Sequence, residues 1–348
     1  MAGKKKTTLQ DIADALDITP SAVSKALHDH PRISEKTKRA VLAMAKKLSY
    51  HPNTLASALR SGQSFLLGVI VPDIDFGFFS SVVRGIEEVS RKAGYHVIIS
   101  QSHNQVDNEQ ANVEALLRTQ VDGVLASLGT STTDFDHFRR LIDNDVPLLL
   151  FDRTSDQLPV STVVVDDFGG AYAAVEHLIR QQCRRIVHFA GHKRSSLYHT
   201  RIQAYEKAMA DHGLEVLPGY IMESDLTLAD GQALTRKLLE EGMPFDGIFA
   251  SADHAALGAM HALQENGIKV PEQVAVVGFS NEPFSGFIRP SLSSVDQQSL
   301  KMGKLAAETL LQQVRDKESG TGPIRKVLLP ELIVRDSSRR LPLNKASS

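Results

Sequence analysis

The chain runs to 348 residues and carries 39 Lys and Arg against 41 Asp and Glu, a formal net charge of −2. That near-neutral sum hides an uneven distribution, because residues 1–62 hold eleven basic and five acidic side chains, which leaves an acidic remainder. A single cysteine, Cys183, excludes an internal disulfide and suits a reducing compartment, while no apolar run approaches the ~18 residues of a membrane span and no apolar stretch follows the basic start.

In chain order, the first helix is predicted from Thr8, a candidate N-cap with Asp11 three residues on, and buries Leu9, Ile12, Ala13 and Leu16 along one stripe. Asp17 and Ile18 make the turn. Thr19-Pro20 then supplies an N-cap and a proline at the first helical position, where its missing N–H costs nothing. In the second helix Val23, Ala26 and Leu27 point inward, while Ser21 and Lys25, four apart, share a short polar outward face. A third helix begins at Ser34, buries Val41, Met44, Ala45 and Leu48, and stops at His51-Pro52. Three short helices around one core fit a helix-turn-helix module, whose second helix enters the major groove, and also a plain helical bundle. The basic head on an acidic body favours the DNA reader, since such asymmetry is the footprint of phosphate binding. Lys4, Lys5 and Lys6 by themselves read equally as a solvated arm.

The segments Thr8-Leu9-Gln10-Asp11-Ile12-Ala13, Thr19-Pro20-Ser21-Ala22-Val23-Ser24-Lys25-Ala26-Leu27 and Tyr50-His51-Pro52-Asn53 resemble the lactose-repressor (LacI/GalR) family of bacterial transcription regulators, and the likeness continues through nearly the whole chain. The resemblance implies that the recognition helix reads bases from Pro20, Ser21 and Lys25, with Thr19 and Ser24 beside them, and that residues 53–60 form a hinge helix contacting DNA through Asn53, Ala56 and Leu59. Leu59 falls at the position that wedges between base pairs, a step that costs unstacking energy and kinks the duplex. Two departures matter. Asp17 stands where the family usually has Gly, and Asp tolerates the left-handed turn better than most residues. Pro20 has no side-chain donor, so reading at its base position is expected to be apolar or absent.

From about residue 65 the chain alternates apolar runs with amphipathic stretches. Strands are predicted at 66–71, 95–99, 121–128 and 146–151, then in a second series at 163–165, 185–190, 245–251 and 274–279. Continuous rather than alternating apolar runs belong to parallel sheets covered on both faces. Two doubly wound parallel-sheet lobes result, their ligand expected outside the strands' carboxyl ends, in the cleft between them. The resemblance implies the same periplasmic-binding-protein-like sensor, with three crossings between lobes that we place near Ser161, near 291–296 and near Lys326. The expected organisation is a helix-turn-helix domain over 1–51, a hinge helix over 52–62, an effector-binding and dimerisation domain over 63–340 and a tail over 341–348. Lobe 1 takes about 63–161 and 292–325, lobe 2 about 162–291 and 326–340. The tail has no heptad pattern, so no tetramerising zipper is expected.

A search for catalysis finds no carrier. His188 and His192 have H-x3-H spacing but straddle a predicted strand and loop, so no metal site is expected. There is no G-x-S-x-G elbow, P-loop or dinucleotide fingerprint. Asp152, Asp166 and Asp167 lie at strand ends, where accepting bonds from a polyol asks for the same groups as acid–base chemistry. For effector binding the resemblance and the strand-end rule point to Phe78 and Phe79, of which we expect only one, Phe79, to line the cleft, and to Asp152, Arg201, Asp253 and Gln297. Asp152 and Asp253 also read as capping residues. After the strand at 274–279, where many relatives carry a carboxylate, the chain has Gly278-Phe279-Ser280-Asn281. Ser280 and Asn281 are uncharged, so the effector is expected to be less hydroxyl-rich, more anionic or differently held.

The sequence therefore predicts a cytoplasmic bacterial regulator, nucleoid-associated when on DNA. It binds a pseudo-palindromic operator as a homodimer, most simply as a repressor, and is controlled by a small effector, a sugar or sugar derivative, without any other cofactor. The rival reading is a cytoplasmic small-molecule binding protein with no operator-specific role.

Overall fold

The computed structural model describes residues 7–27, 29–48, 50, 63–75, 77–316 and 322–340. The hinge residues Asn53, Ala56 and Leu59 and the tail over 341–348 lie outside the described residues. The chain divides into two compact units, Met1–Ser64 and Phe65–Ser348.

The first unit contains α1 (Leu9–Leu16), α2 (Pro20–Leu27) and α3 (Glu35–Lys47). Thr8 closes a full capping box, its hydroxyl accepting from the Asp11 N–H while the Asp11 carboxylate accepts from the Thr8 N–H at 2.7 Å. Asp17 sits at φ 51°, the left-handed conformation expected of the turn, and Thr19 Oγ1 accepts from the Ala22 N–H at 3.2 Å. Ile12, Ala13, Val23, Ala26, Val41 and Ala45 are the buried core, with Leu9, Leu16, Leu27, Met44 and Leu48 packed half-buried around it. Thr19, Pro20, Ser21 and Lys25 are exposed and Ser24 is half-buried, so the α2 face opposite Val23 and Ala26 is open.

The second unit holds two six-stranded sheets. In the first, β1 (Leu66–Val71), β2 (His96–Gln101), β3 (Gly123–Ala126), β4 (Leu148–Phe151), β5 (Ser161–Val165) and β11 (Arg325–Leu328) run parallel in the order β11-β5-β4-β3-β1-β2. In the second, β6 (Ile186–Ala190), β7 (Ile221–Glu223), β8 (Gly247–Ala250), β9 (Ala275–Phe279), β10 (Ser293–Asp296) and β12 (Glu331–Ile333) take the order β12-β10-β9-β8-β6-β7, with β12 antiparallel. The helices α4 (Gly77–Lys92), α5 (Val106–Thr119), α6 (Asp136–Asp143) and α11 (Ser299–Arg315) cover the first sheet; α7 (Asp167–Arg180), α8 (Ser196–Asp211), α9 (Leu228–Glu240) and α10 (Asp253–Glu265) cover the second. Helices on both faces bury the central strands, which is why sequences such as those of β1, β4, β6 and β9 are largely apolar runs, while the edge strands β2, β7, β11 and β12 stay partly exposed. α4 and α11 cross at Gly85 and Gly303, where a Cβ on either would run into the other helix's backbone.

All three crossings fall later than the sequence reading placed them. The run at 163–165 belongs to the first sheet, with Phe151 in register with Val163, so the first crossing is at Asp166 rather than near Ser161. Residues 293–296 are β10 of the second sheet, so the chain returns after Asp296. Strand β11 pairs with β5, and the last crossing follows at Leu329 and Pro330 rather than near Lys326. An apolar run marks a strand but not the sheet that accepts it, and each crossing follows a strand's carboxyl end instead of preceding the strand.

Candidate functional site

Both sheets aim their carboxyl ends at one cleft between the lobes, a cavity of about 530 Å³. Phe78 and Phe79, in the first turns of α4, both line it, against the expectation of one; their rings meet edge to face at 5.0 Å and both are buried. Asp152, immediately after β4 and at φ 58°, lines the floor with its carboxyl pushed up to about 6 by burial. The guanidinium of the neighbouring Arg153 lies 5.6 Å from the Phe79 ring and donates to Asn104 Oδ1 at 2.8 Å.

Arg201, on α8, is 3 % exposed and forms the centre of the polar floor. Its Nε and Nη2 donate to Asp167 Oδ1 at 2.9 and 2.7 Å, its Nη1 to the Ser251 carbonyl at 2.8 Å, and its Nη2 also to Gln297 Oε1 at 3.3 Å. The plane stacks 3.5 Å from the Phe279 ring centroid. Burial pushes the Asp167 carboxyl up while Arg201 draws it down. Gln297 in turn donates through Nε2 to Ser280 Oγ at 3.1 Å, so Arg201, Gln297 and Ser280 form one chain of contacts along the cleft.

Two expected ligand residues serve other purposes here. Asn281 does not line the cleft: its Nδ2 donates to Asp296 Oδ2 at 3.0 Å and its Oδ1 accepts from Arg335 at 2.7 Å, because the left-handed backbone at Ser280 and Asn281 turns the side chain outward. Asp253 reaches the cleft wall but is fully buried, and its carboxylate accepts from Ser294 Oγ at 2.6 Å, Ser285 Oγ at 2.9 Å and the Glu282 N–H at 2.7 Å. It fastens the segment after β9 rather than offering free acceptors, and burial pushes its carboxyl up to about 6.

Several lining residues were missed by sequence reasoning, among them Asn104, Arg153, Arg194, Tyr198 and Glu282. Asn104 and Arg153 closely follow strand ends, so the strand-end rule would have found them had it been applied to every strand. Glu282 likewise follows the end of β9 by three residues, but nothing in the sequence names its partners. Its carboxylate crosses between lobes to accept from the Gly77 and Phe78 N–H groups at 2.9 and 3.1 Å. Buried Glu109 accepts from the Gly129 N–H and Thr132 Oγ1, both at 2.7 Å, and lies 3.1 Å from His137 Nε2, holding the loop after β3 over the cleft.

His188 is fully buried, stacked on Phe249 at 4.7 Å and 2.9 Å from Ser251 Oγ, and burial pushes its imidazole down to about 3. His192 instead lies in the cleft wall beside Asp225, so the pair does not converge. Among the described residues no group of three or more His, Cys, Asp and Glu could hold a metal ion.

Known proteins fit both units. Residues 8–53 match the profile of "Bacterial regulatory proteins, lacI family", and 175–338 match "Periplasmic binding protein-like domain". The HTH-type transcriptional repressor CytR of Escherichia coli (strain K12) is 32% identical over 98% of this chain and 99% of its own length. Among solved structures, the lac repressor dimer bound to operator and the anti-inducer ONPF superposes with a TM-score of 0.85 at 26% identity, covering 96% of this chain and 99% of that one. The CelR–cellobiose complex superposes at 0.72 and 27% identity, covering 95% and 100%. An exposed helix-turn-helix face, a two-lobed sensor with a polar cleft and a full-length match to a named repressor converge: this chain belongs to the lacI family of bacterial regulatory proteins, as a DNA-binding transcriptional repressor governed by a small-molecule effector and not an enzyme.

Proposed function

We propose that the effector is a carbohydrate or carbohydrate derivative, that it occupies the inter-lobe cleft, and that it sets operator affinity through the relative orientation of the lobes. The observation that carries this reading is the cleft's composition, with Phe79 and Tyr198 beside Asp152, Asn104, Gln297, Ser280 and Arg201. Sugars present apolar ring faces and a rim of hydroxyls, and such sites combine aromatic walls with a few placed polar groups. The cellobiose bound by the structural neighbour CelR supports the same class.

The operator is pseudo-palindromic and read by a cytoplasmic homodimer, since one short recognition helix supplies few base contacts and a twofold pair reads two half-sites. The lac repressor neighbour is a dimer on operator. No helix among the described residues is long and apolar enough to cross a membrane. On the DNA side we assign contacts to Thr19, Pro20, Ser21, Ser24 and Lys25 of the recognition helix and to Asn53, Ala56 and Leu59 of the hinge.

A thermal-shift screen of sugars, sugar acids, phosphosugars and purines, followed by operator titration with each hit, tests the reading. A carbohydrate hit that changes operator affinity supports it; a purine as the sole hit, or a sugar that leaves operator affinity unmoved, would overturn it.

A further inference from the structure

The cleft continues beyond the chamber described above. A second chamber of about 540 Å³ opens along the β4, β5 and β11 side of the first sheet and shares Thr130, Asp152, Arg153, Arg194 and Leu197 with the first. Each alone lies in the roughly 300–1,000 Å³ range of small-molecule sites, so the two together have room for more than one sugar ring.

The second chamber is lined by Thr133, Thr154, Ser195 and Ser196, whose hydroxyls make no hydrogen bond among the described residues, and by Phe168, 39% exposed. Its acidic and basic groups differ in how they are engaged. Asp166 Oδ1 accepts from the Gly169 N–H at 2.9 Å and Asp167 is taken by Arg201. Asp152 is buried between Arg153 and Arg201. By contrast Arg194 is exposed and has no ion-pair or hydrogen-bond partner among the described residues, and Arg325 lies 3.9 Å from the fully exposed Asp156. Among the described residues the wall therefore leaves a set of hydroxyls and the Arg194 guanidinium without a partner, while Arg325 has only an exposed ion pair to Asp156, which also lines the chamber. A guanidinium fork matches a carboxylate or phosphate with two parallel N–H donors, and its charge-assisted bonds are about twice as strong as neutral ones.

We propose that this second chamber is a subsite for an anionic sugar unit, carboxylated or phosphorylated, joined to the unit held beside Phe79 and Arg201. The effector is then an acidic saccharide of at least two units. This rests on the carbohydrate reading above and narrows it.

The test is calorimetry on the full-length protein with cellobiose, cellobiose 6-phosphate and digalacturonate, comparing wild type with the double variant Arg194→Ala, Arg325→Ala. Both side chains are exposed, so the variant keeps its fold. Wild type is expected to bind at least one anionic disaccharide about tenfold more tightly than cellobiose, a difference of about 1.4 kcal/mol, and the variant to lose that preference. Which anion gains tells carboxylate from phosphate. Equal affinities in wild type, or a preference that survives the double substitution, overturns the subsite and leaves the sugar reading standing where cellobiose binds. Failure of all three to bind overturns the subsite, and the thermal-shift screen decides the sugar reading.

Discussion

Glu282 of the second lobe accepts a hydrogen bond of 2.9 Å from the backbone N–H of Gly77, the first residue of α4 in the first lobe. The helix's first N–H groups have no partner within α4, and a carboxylate from across the cleft supplies one. Gly77 is required by the approach, since a Cβ there would collide with Glu282 Oε2 and the Pro283 ring. Glu282→Ala should loosen the lobes without unfolding either, visible as a larger radius of gyration in X-ray scattering of the ligand-free protein. Gly77→Ala should act alike; scattering curves identical to wild type for both would sink the clasp.

Arg201 invites a sharper test than loss of binding. Removing it strands the buried Asp167 carboxylate, and breaking a buried pair costs about 3–5 kcal/mol. Arg201→Ala should therefore lower the melting temperature as well as abolish effector binding, and Arg201→Ala, Asp167→Asn should recover much of the stability but none of the binding. Calorimetric and melting data on the two variants separate these roles; a single variant as stable as wild type would contradict the buried pair.

Asp152 and Asp253 have carboxyls raised to about 6 against an ordinary value of 3.8. A raised carboxyl means the folded state holds its proton more tightly than the unfolded chain. That contribution is fully present below about pH 4 and is lost as pH rises through 6. Asp152→Asn keeps the neutral form at every pH, so its melting temperature should rise relative to wild type between pH 4.5 and 7.5, by an amount reflecting on the order of 2 kcal/mol. A difference that does not vary with pH would rule out the shift.

Asn281 and Ser280 are adjacent yet should answer differently. Asn281→Ala loses the bonds to Asp296 and Arg335 and should cost about 1–2 kcal/mol of stability with little effect on effector affinity. Ser280→Ala should do the reverse. The opposite pattern in paired melting and calorimetry experiments would restore Asn281 to the cleft.

On α2, Lys25 is exposed on the face it shares with Ser21. Lys25→Ala should erase operator preference over random DNA in mobility-shift titrations while a weaker, salt-sensitive binding remains. Unchanged discrimination would remove Lys25 from base reading.

The helix-turn-helix unit was legible because its signals are local: Thr8 with Asp11, Thr19 before Pro20, and apolar residues at helical spacing each specify one turn of chain. The first-lobe strands were legible as apolar runs. Residues 161–165 and 293–296 were misassigned because membership of a sheet is set by pairing with residues far along the chain, as in Phe151 with Val163. Asn281 illustrates the same limit within a site: two residues at positive φ turn its side chain away from the cleft, and nothing in Ser280-Asn281-Glu282 declares that backbone. The role of Glu282 was invisible for a further reason, since its partners are the amides of Gly77 and Phe78, some 200 positions away.

The three crossings are tied together by side chains that also face the inter-lobe cleft or adjoin it. Arg201 grips Asp167 just past the first crossing and Gln297 on the second, and Gln298 donates to the Leu329 carbonyl on the third at 2.6 Å. With the effector in the cleft as proposed, a ligand that competes for any bond of Arg201 or Gln297 would act directly on the segments that join the lobes, so recognition there needs no separate relay to reach them.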